Sequence, residues 1–437
     1  MIMNDFFYKD NKGLICQCLF LGAIIVAGLL VPQLNYIALL MVSVFICMSD
    51  RENVLCILTF LVSFAPIFKV NIGGFTFFNL VVVIGILRGC VLSKFQLRKN
   101  NFLIFALLAI YVVMTSSRNG YFEVISFLCY LFLVGVLFIP GTISMHKLVT
   151  FAIWGIIITS IVALNKNYFP RLGPIMNDAT IRLSAGNYYN RFAGIDANPN
   201  YYTLLISVCI AELLILFIDG RNKKIDFVYA GVLTVFGLLT VSQSFIVTLG
   251  ISLVITCLLI GRRRNKKAPL TILVLICVAI ISVSFLGQSV IDTLIFRYEN
   301  TTSANSLSEA TSGRAGLLQF YLNYLGNNFY VFLFGKGIGA GNLYIGASHN
   351  YYIDILYHLG VLGGVLYLSY LYDVFFAGLR TVRKPKVYQY LPFAVFLIRA
   401  FAINLIAREQ LVFVLMLCSA ALLDREDQEE EPLYDSF

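Results

Sequence analysis

Apolar residues follow one another for roughly 15 to 22 positions at a time along most of this chain, the length an α-helix needs to cross about 30 Å of hydrocarbon. The runs are too continuous for barrel strands, whose residues alternate between lipid and lumen. They predict about fourteen helices, over 14–31, 34–48, 53–69, 75–93, 101–116, 121–140, 146–164, 199–218, 226–241, 242–261, 268–287, 348–378, 390–406 and 409–423. The expected fold class is therefore all-α: a polytopic helical integral membrane protein, one transmembrane domain over 1–437. The polar segments between runs are short except at 165–198 and 288–347, and no internal repeat is visible.

Composition agrees with the pattern. Hydrophobic residues make up 59% of the chain and charged residues 13%, with a mean hydropathy of +0.84, outside the range of soluble domains. A net charge of +9 invites a nucleic-acid reading, but its placement argues against one. The basic clusters KFQLRKN (94–100), GRNKK (220–224), GRRRNKK (261–267) and RTVRKPK (380–386) all fall on one side of the span count. The positive-inside rule makes that side cytoplasmic, so the basic excess is a topology signal and no nucleic-acid partner is expected. Both termini then lie inside, with 424–437 an acidic cytoplasmic tail. The first apolar run lacks a small-residue cleavage site and is read as a retained helix. All ten cysteines sit in or beside apolar runs, where a thiol acts as a small hydrophobe, and no metal spacing is present.

With that sidedness the two long loops are external. The first, 165–198, ends in YYNRFAGIDANPNYYTLL, where Asn198 and Pro199 start a helix in whose first turn Asn200 lies. Arg191 just upstream fits two readings, an anion clamp or an interfacial arginine solvated among headgroups. The second, 288–347, contains GLLQFYLNYLGNNFYVFLFG, whose aromatics suit an interfacial helix. Ser312 is expected to cap that helix and Arg314 to occupy its first turn, a pairing of guanidinium and free N–H groups that suits phosphate, or simply an ordinary capped helix. The glycine-rich FGKGIGAGN (334–342) lacks nucleotide-loop order and reads as a tight turn aiming the next helix.

That next helix begins SHNYYIDILYH. Ser348 is expected to cap it and His349 to stand in its first turn, able to exchange a proton or donate to an oxyanion. Asn350, Asp354 and His358 recur every four residues and form a polar stripe on one face. Arg408 and Glu409, at the external ends of the last two runs, border the same cavity or form an ion pair that holds those helices. Arg88, Glu123, Glu212 and Arg399 are further ionisable residues within or at the ends of runs.

Arg191, Gly194, Pro199 and Asn200, then Ser312-Gly313-Arg314, then FGKGIGAG leading to His349-Asn350 and Gly360/Gly363, resemble in order and spacing the bacterial O-antigen ligase and polymerase superfamily. The resemblance covers roughly residues 190–365. It implies a membrane-embedded, GT-C-like, metal-independent glycosyltransferase without a cofactor. The implied substrate is an undecaprenyl-diphosphate-linked glycan at the outer face of the bacterial inner membrane, with a chain-length regulator as partner beside the lipid bilayer. In that resemblance Arg191 and Arg314 hold the diphosphate and His349 works at the acceptor hydroxyl or leaving group; beside them Asn350, Asp354, Asn200, Ser312 and Arg408 are expected to bind substrate. Two positions depart from the pattern: Gln243 stands where relatives often carry an arginine, and Ala347 where ligases often carry a second histidine. The latter favours a polymerase of oligosaccharide repeat units over a ligase. A transporter whose path is lined by Arg399, Glu123 and Glu212 is the reading from another class.

Overall fold

The computed structural model describes residues 11–424 apart from 69–70, 73–74, 94–98, 117–119, 174–178, 185–186, 197, 263–276, 278–279, 282–286, 303–312, 345 and 381–384. The described residues form sixteen α-helices. These are α1 Asn11–Ala27, α2 Leu34–Met48, α3 Arg51–Val62, α4 Phe77–Leu92, α5 Lys99–Thr115, α6 Tyr121–Leu137, α7 Met145–Leu164 and α8 Pro199–Asp219, followed by α9 Lys224–Leu239, α10 Gln243–Arg262, α11 Gln288–Thr302, α12 Arg314–Asn327, α13 Phe329–Phe334, α14 Tyr351–Phe376, α15 Leu391–Ala400 and α16 Glu409–Leu422. Two small antiparallel hairpins accompany them, β1 Asn71–Ile72 with β2 Phe75–Thr76, and β3 Ala179–Ser184 with β4 Asn187–Arg191.

Helix α8 is the axis of the bundle. Every residue from Pro199 to Ile218 is buried, and α7, α9, α10, α15 and α16 pack around it. The peripheral helices α2, α5 and α10 instead turn large apolar side chains outward, among them Leu40, Leu103, Ile110, Val254 and Leu258. A helix apolar on its outer as well as its inner face has hydrocarbon as its natural solvent. Four helices, α7, α8, α10 and α14, are long and apolar enough to cross a membrane, and seven shorter apolar helices stand beside them.

Several expected runs are trimmed for local reasons. Thr76 and Asp50 accept from backbone N–H groups three residues on and so start α4 and α3. The run 390–406 stops being helical at Ala400, because the segment that follows turns back to bond Asp354 through Asn404 Nδ2 and the Ile406 N–H. The run 268–287 lies almost wholly outside the described residues. The loop 165–198 carries two single-turn helices and the β3–β4 hairpin, and 288–347 carries α11, α12 and α13.

The two ends of the bundle differ. At one, Asp424 accepts from the Met145 N–H (3.0 Å) and from Arg221 Nη1 (2.8 Å), and Lys147 Nζ donates to Asn53 Oδ1 (2.7 Å). These bonds tie α7, α3 and the two ends of the α8–α16 pair. At the other, α8, α10, α12, α14 and α16 all begin, and the candidate chemistry collects there.

The glycine-rich turn 334–342 does aim α14. The Lys336 and Gly337 N–H groups donate to the Tyr357 and His358 carbonyls at 2.7 and 2.9 Å, where α14 is interrupted by a non-helical Gly360 (φ 65°, ψ −173°). The crossing is backbone on backbone. A Cβ on Gly335 would lie 2.3 Å from the His358 carbonyl oxygen, and one on Gly360 2.4 Å from that of Leu333. Only glycine fits both positions.

Candidate functional site

Asn198 caps α8 by accepting from the Asn200 N–H at 2.8 Å, as its sequence predicts, and Pro199 takes the first helical position. Asn200 is buried. Its Oδ1 accepts from Ser242 Oγ at 3.2 Å, which joins the start of α8 to the turn between α9 and α10. That turn also receives Arg191, whose Nε donates to the Thr240 carbonyl at 2.9 Å from the end of β4. Arg399 reaches it from α15. Its Nη1 donates to the Ser244 hydroxyl and lies 3.5 Å from that of Ser242, while Nη2 donates to the Asn200 carbonyl (2.9 Å) and to Thr203 Oγ1. Arg314 is the first residue of α12, half-buried, and its charge acts on both Arg399 and His349. Arg191 acts on Arg399 as well. Arg191 and Arg399 therefore meet the same α9–α10 turn, beside the N-terminal ends of α8 and α10.

His349 takes an unexpected conformation. It does not occupy the first turn of α14, and Ser348 does not cap that helix. Asn350 does, its Oδ1 accepting from the N–H groups of Tyr352 (3.0 Å) and Ile353 (3.2 Å), while the Ser348 hydroxyl turns onto the Asn350 backbone. Asn350 wins because one amide oxygen reaches two free N–H groups. His349 is left just outside the helix at φ +48°, in the left-handed region. Among the described residues the only other non-glycine residue there is Val241 (φ +51°), in the α9–α10 turn. Both strained positions border the arginines, the pattern of backbone held against its preference for function.

The stripe behind His349 is divided in use. Asn350 is spent on capping. Asp354 Oδ1 lies 3.4 Å from His358 Nε2, and His358 Nδ1 lies 3.0 Å from the Gly337 carbonyl, so His358 braces the glycine turn. Asp354 also accepts from Asn404 and Ile406. Asp354 and His358 line an open cavity of about 620 Å³ with Asn79, Tyr130, Arg408 and Glu409, and its rim includes Ala347, two residues from His349. Arg408 stands at the start of α16 with its guanidinium 5.0 Å from the Tyr201 ring centroid. Of the expected site residues, Ser312 lies outside the described residues. The N-cap position of α12 belongs to Gly313, and no side chain caps it.

No family model matches this chain, and no curated protein matches it. The geometry thus stands alone: a turn that receives Arg191 and Arg399, a polar cavity, and His349 two residues from Ala347 on the cavity wall. Arg399 had been only one ionisable residue among several in apolar runs. Nothing local in its sequence ties it to the turn that Arg191 reaches; the meeting is made by packing of α15 on α8 and α10. Among the described residues no three His, Cys, Asp or Glu side chains come together as a metal site.

Burial, then the charge of Arg314, pushes the His349 imidazole below its ordinary pKa, with Asp354 pulling the other way. The ring is accordingly neutral at neutral pH and able to accept a proton. An activity that depends on this base should rise with pH along a limb below about 6.5 and stay flat above it. Arg314→Gln removes a cation, so the same limb should move to higher pH; a pH–rate profile of the two proteins checks the direction. A limb that stays in place, or moves down, rules out electrostatic coupling between these two residues.

Proposed function

We propose that this chain is a membrane-embedded glycosyltransferase that polymerises undecaprenyl-diphosphate-linked oligosaccharide repeat units, working from the outer face of the bacterial inner membrane. The observation that carries the reading is a polar cavity of about 620 Å³ lined by Ala347, Asp354 and His358, on the segment that carries the left-handed His349, with Arg191 and Arg399 bound to one turn at the same end of the bundle. Transfer breaks an anomeric C–O bond and leaves negative charge on a lipid diphosphate, and fixed cations answer that need. A guanidinium about 4 Å from a phosphate is worth on the order of 4 kcal/mol at an effective dielectric near 20, and more of it is realised as the charge develops. His349 then takes the proton of the attacking sugar hydroxyl. The cavity has the size of a small-molecule site, and Asn79, Asp354, Asn404, Glu409 and Arg408 offer the mixed donors and acceptors that sugar hydroxyls require.

The site end of the bundle is also where the two long loops lie, which agrees with the sidedness drawn from the basic clusters. The protein reconstituted in liposomes with lipid-linked repeat units alone should build a ladder of products. A ligase acting on another acceptor makes none under those conditions, and a transporter moves the lipid without altering glycan length. Either of those two results overturns the polymerase reading.

A further inference from the structure

The wall of the 620 Å³ cavity spends its hydrogen bonds unevenly. Asn79 Nδ2 donates to Ser126 Oγ at 2.9 Å, and Tyr130 Oη donates to Asn79 Oδ1 at 2.7 Å. Asn404 Nδ2 turns to Asp354 Oδ1 at 3.3 Å, which leaves Asn404 Oδ1 buried without a hydrogen-bond partner. The ring nitrogens of His358 face Asp354 Oδ1 and the Gly337 carbonyl, so whichever carries the proton gives it to the protein. Four lining side chains thus direct donors at the protein itself, and the wall is left rich in acceptors. Charge has the same sense. Glu123 in the first turn of α6, Asp354 in α14 and Glu409 at the start of α16 all line the cavity. Among the described lining residues Arg408 is the one guanidinium and His358 the one imidazole. Three carboxylates outweigh them whether or not the imidazole is charged. A cleft lined by one sign of charge between low-dielectric walls focuses its field into the opening.

We propose that this cavity selects its sugar by charge: it seats a neutral or amine-bearing sugar, favours the amine, and turns away a sugar that carries a carboxylate or phosphate. The proposal rests on the glycosyl-transfer reading above and adds the substrate class to it. Hydroxyl and ammonium protons meet acceptors on the wall. An acidic group meets like charge, and its lone pairs face lone pairs. By the same argument the lipid diphosphate stays outside the cavity and only the glycan enters. Glu123, which is exposed, and the buried Glu409 set the selectivity from two different helices.

Ala347 lies on the cavity wall, and a thiol at that position reads the local potential. The test modifies Ala347→Cys, full chain in nanodiscs, with a cationic trimethylammonioethyl and an anionic sulfonatoethyl methanethiosulfonate. The ratio of the two rates is divided by the same ratio for 2-mercaptoethanol, which cancels the reactivity of the thiol itself. Wild type, with its ten native cysteines, supplies the background. The cation should be favoured about tenfold or more at low salt, and the preference should collapse near 1 M salt, where the Debye length is about 3 Å. It should shrink at least about threefold in Glu123→Gln, an exposed change the fold tolerates, and in Glu409→Gln. Methyl glycosides of glucosamine, glucose and glucuronic acid, with their galacto counterparts, then test the sugar by saturation-transfer NMR on the same nanodiscs. Amine should bind better than neutral, and neutral better than acid. Equal corrected rates for the two reagents overturn the proposal, as does a glucuronide or galacturonide that binds as well as its amino counterpart, or the failure of every glycoside to bind. Failure to polymerise lipid-linked repeats would instead sink the glycosyl-transfer reading and leave the thiol result standing.

Discussion

His349→Ala should cut polymer formation by about 10²–10⁴-fold while leaving expression and membrane insertion unchanged, since a positioned general base contributes in that range. The fold has little reason to respond. His349 lies outside the helix, and the α14 cap is made by Asn350. His349→Asn sharpens the expectation. Asparagine tolerates the left-handed region better than most residues, so this variant should be at least as stable as the wild type, yet it cannot accept a proton. The check is the size profile of surface glycan in a deletion strain complemented with each variant, alongside the amount of protein in the membrane. Polymer of normal length and amount from either variant rules out the assigned role.

Arg314→Lys should lower activity by roughly 10–100-fold although it preserves charge, because a lysine ammonium cannot form the planar two-pronged bond to phosphate oxygens. The position makes this a clean comparison. Arg314 is the first residue of α12, half-buried, and no other helix depends on its hydrogen bonds among the described residues. Because Lys keeps the cation, the acid limb set by His349 should stay where it is in Arg314→Lys and move only in Arg314→Gln. Initial rates against pH on purified protein separate the two effects. Full activity in Arg314→Lys would reduce this residue to a point charge, and the fork would have no part in the chemistry.

Much of this architecture can be read from local pattern. Apolar runs locate the helices, Asn198-Pro199 starts α8, and the glycine cluster before α14 is a turn. The pairing of Asp354 with His358 follows from helical spacing. Where local reading errs, two local options compete or the partner is distant. Ser348 and Asn350 are both good caps, and only the backbone path, with His349 left-handed, decides between them. Asn404 and Ile406 leave the helical pattern for Asp354, fifty residues earlier. Arg399 reaches the turn that holds Arg191, some two hundred positions earlier, through hydroxyls on α8 and α10, and no window of sequence contains that meeting. Val241 carries the same lesson: a β-branched residue gives no sign in sequence that its φ will be positive.

Three of the helices that border the cavity are short. At 1.5 Å per residue, α4, α6 and α16, with 16, 17 and 14 residues, measure about 21 to 26 Å against about 30 Å of hydrocarbon, whereas α8 and α14 are long enough to cross it. Such hydrophobic mismatch thins the adjoining bilayer or admits water on that flank. On the function proposed above, bilayer thickness becomes a variable of the reaction, and activity should change with the acyl-chain length of the host lipid.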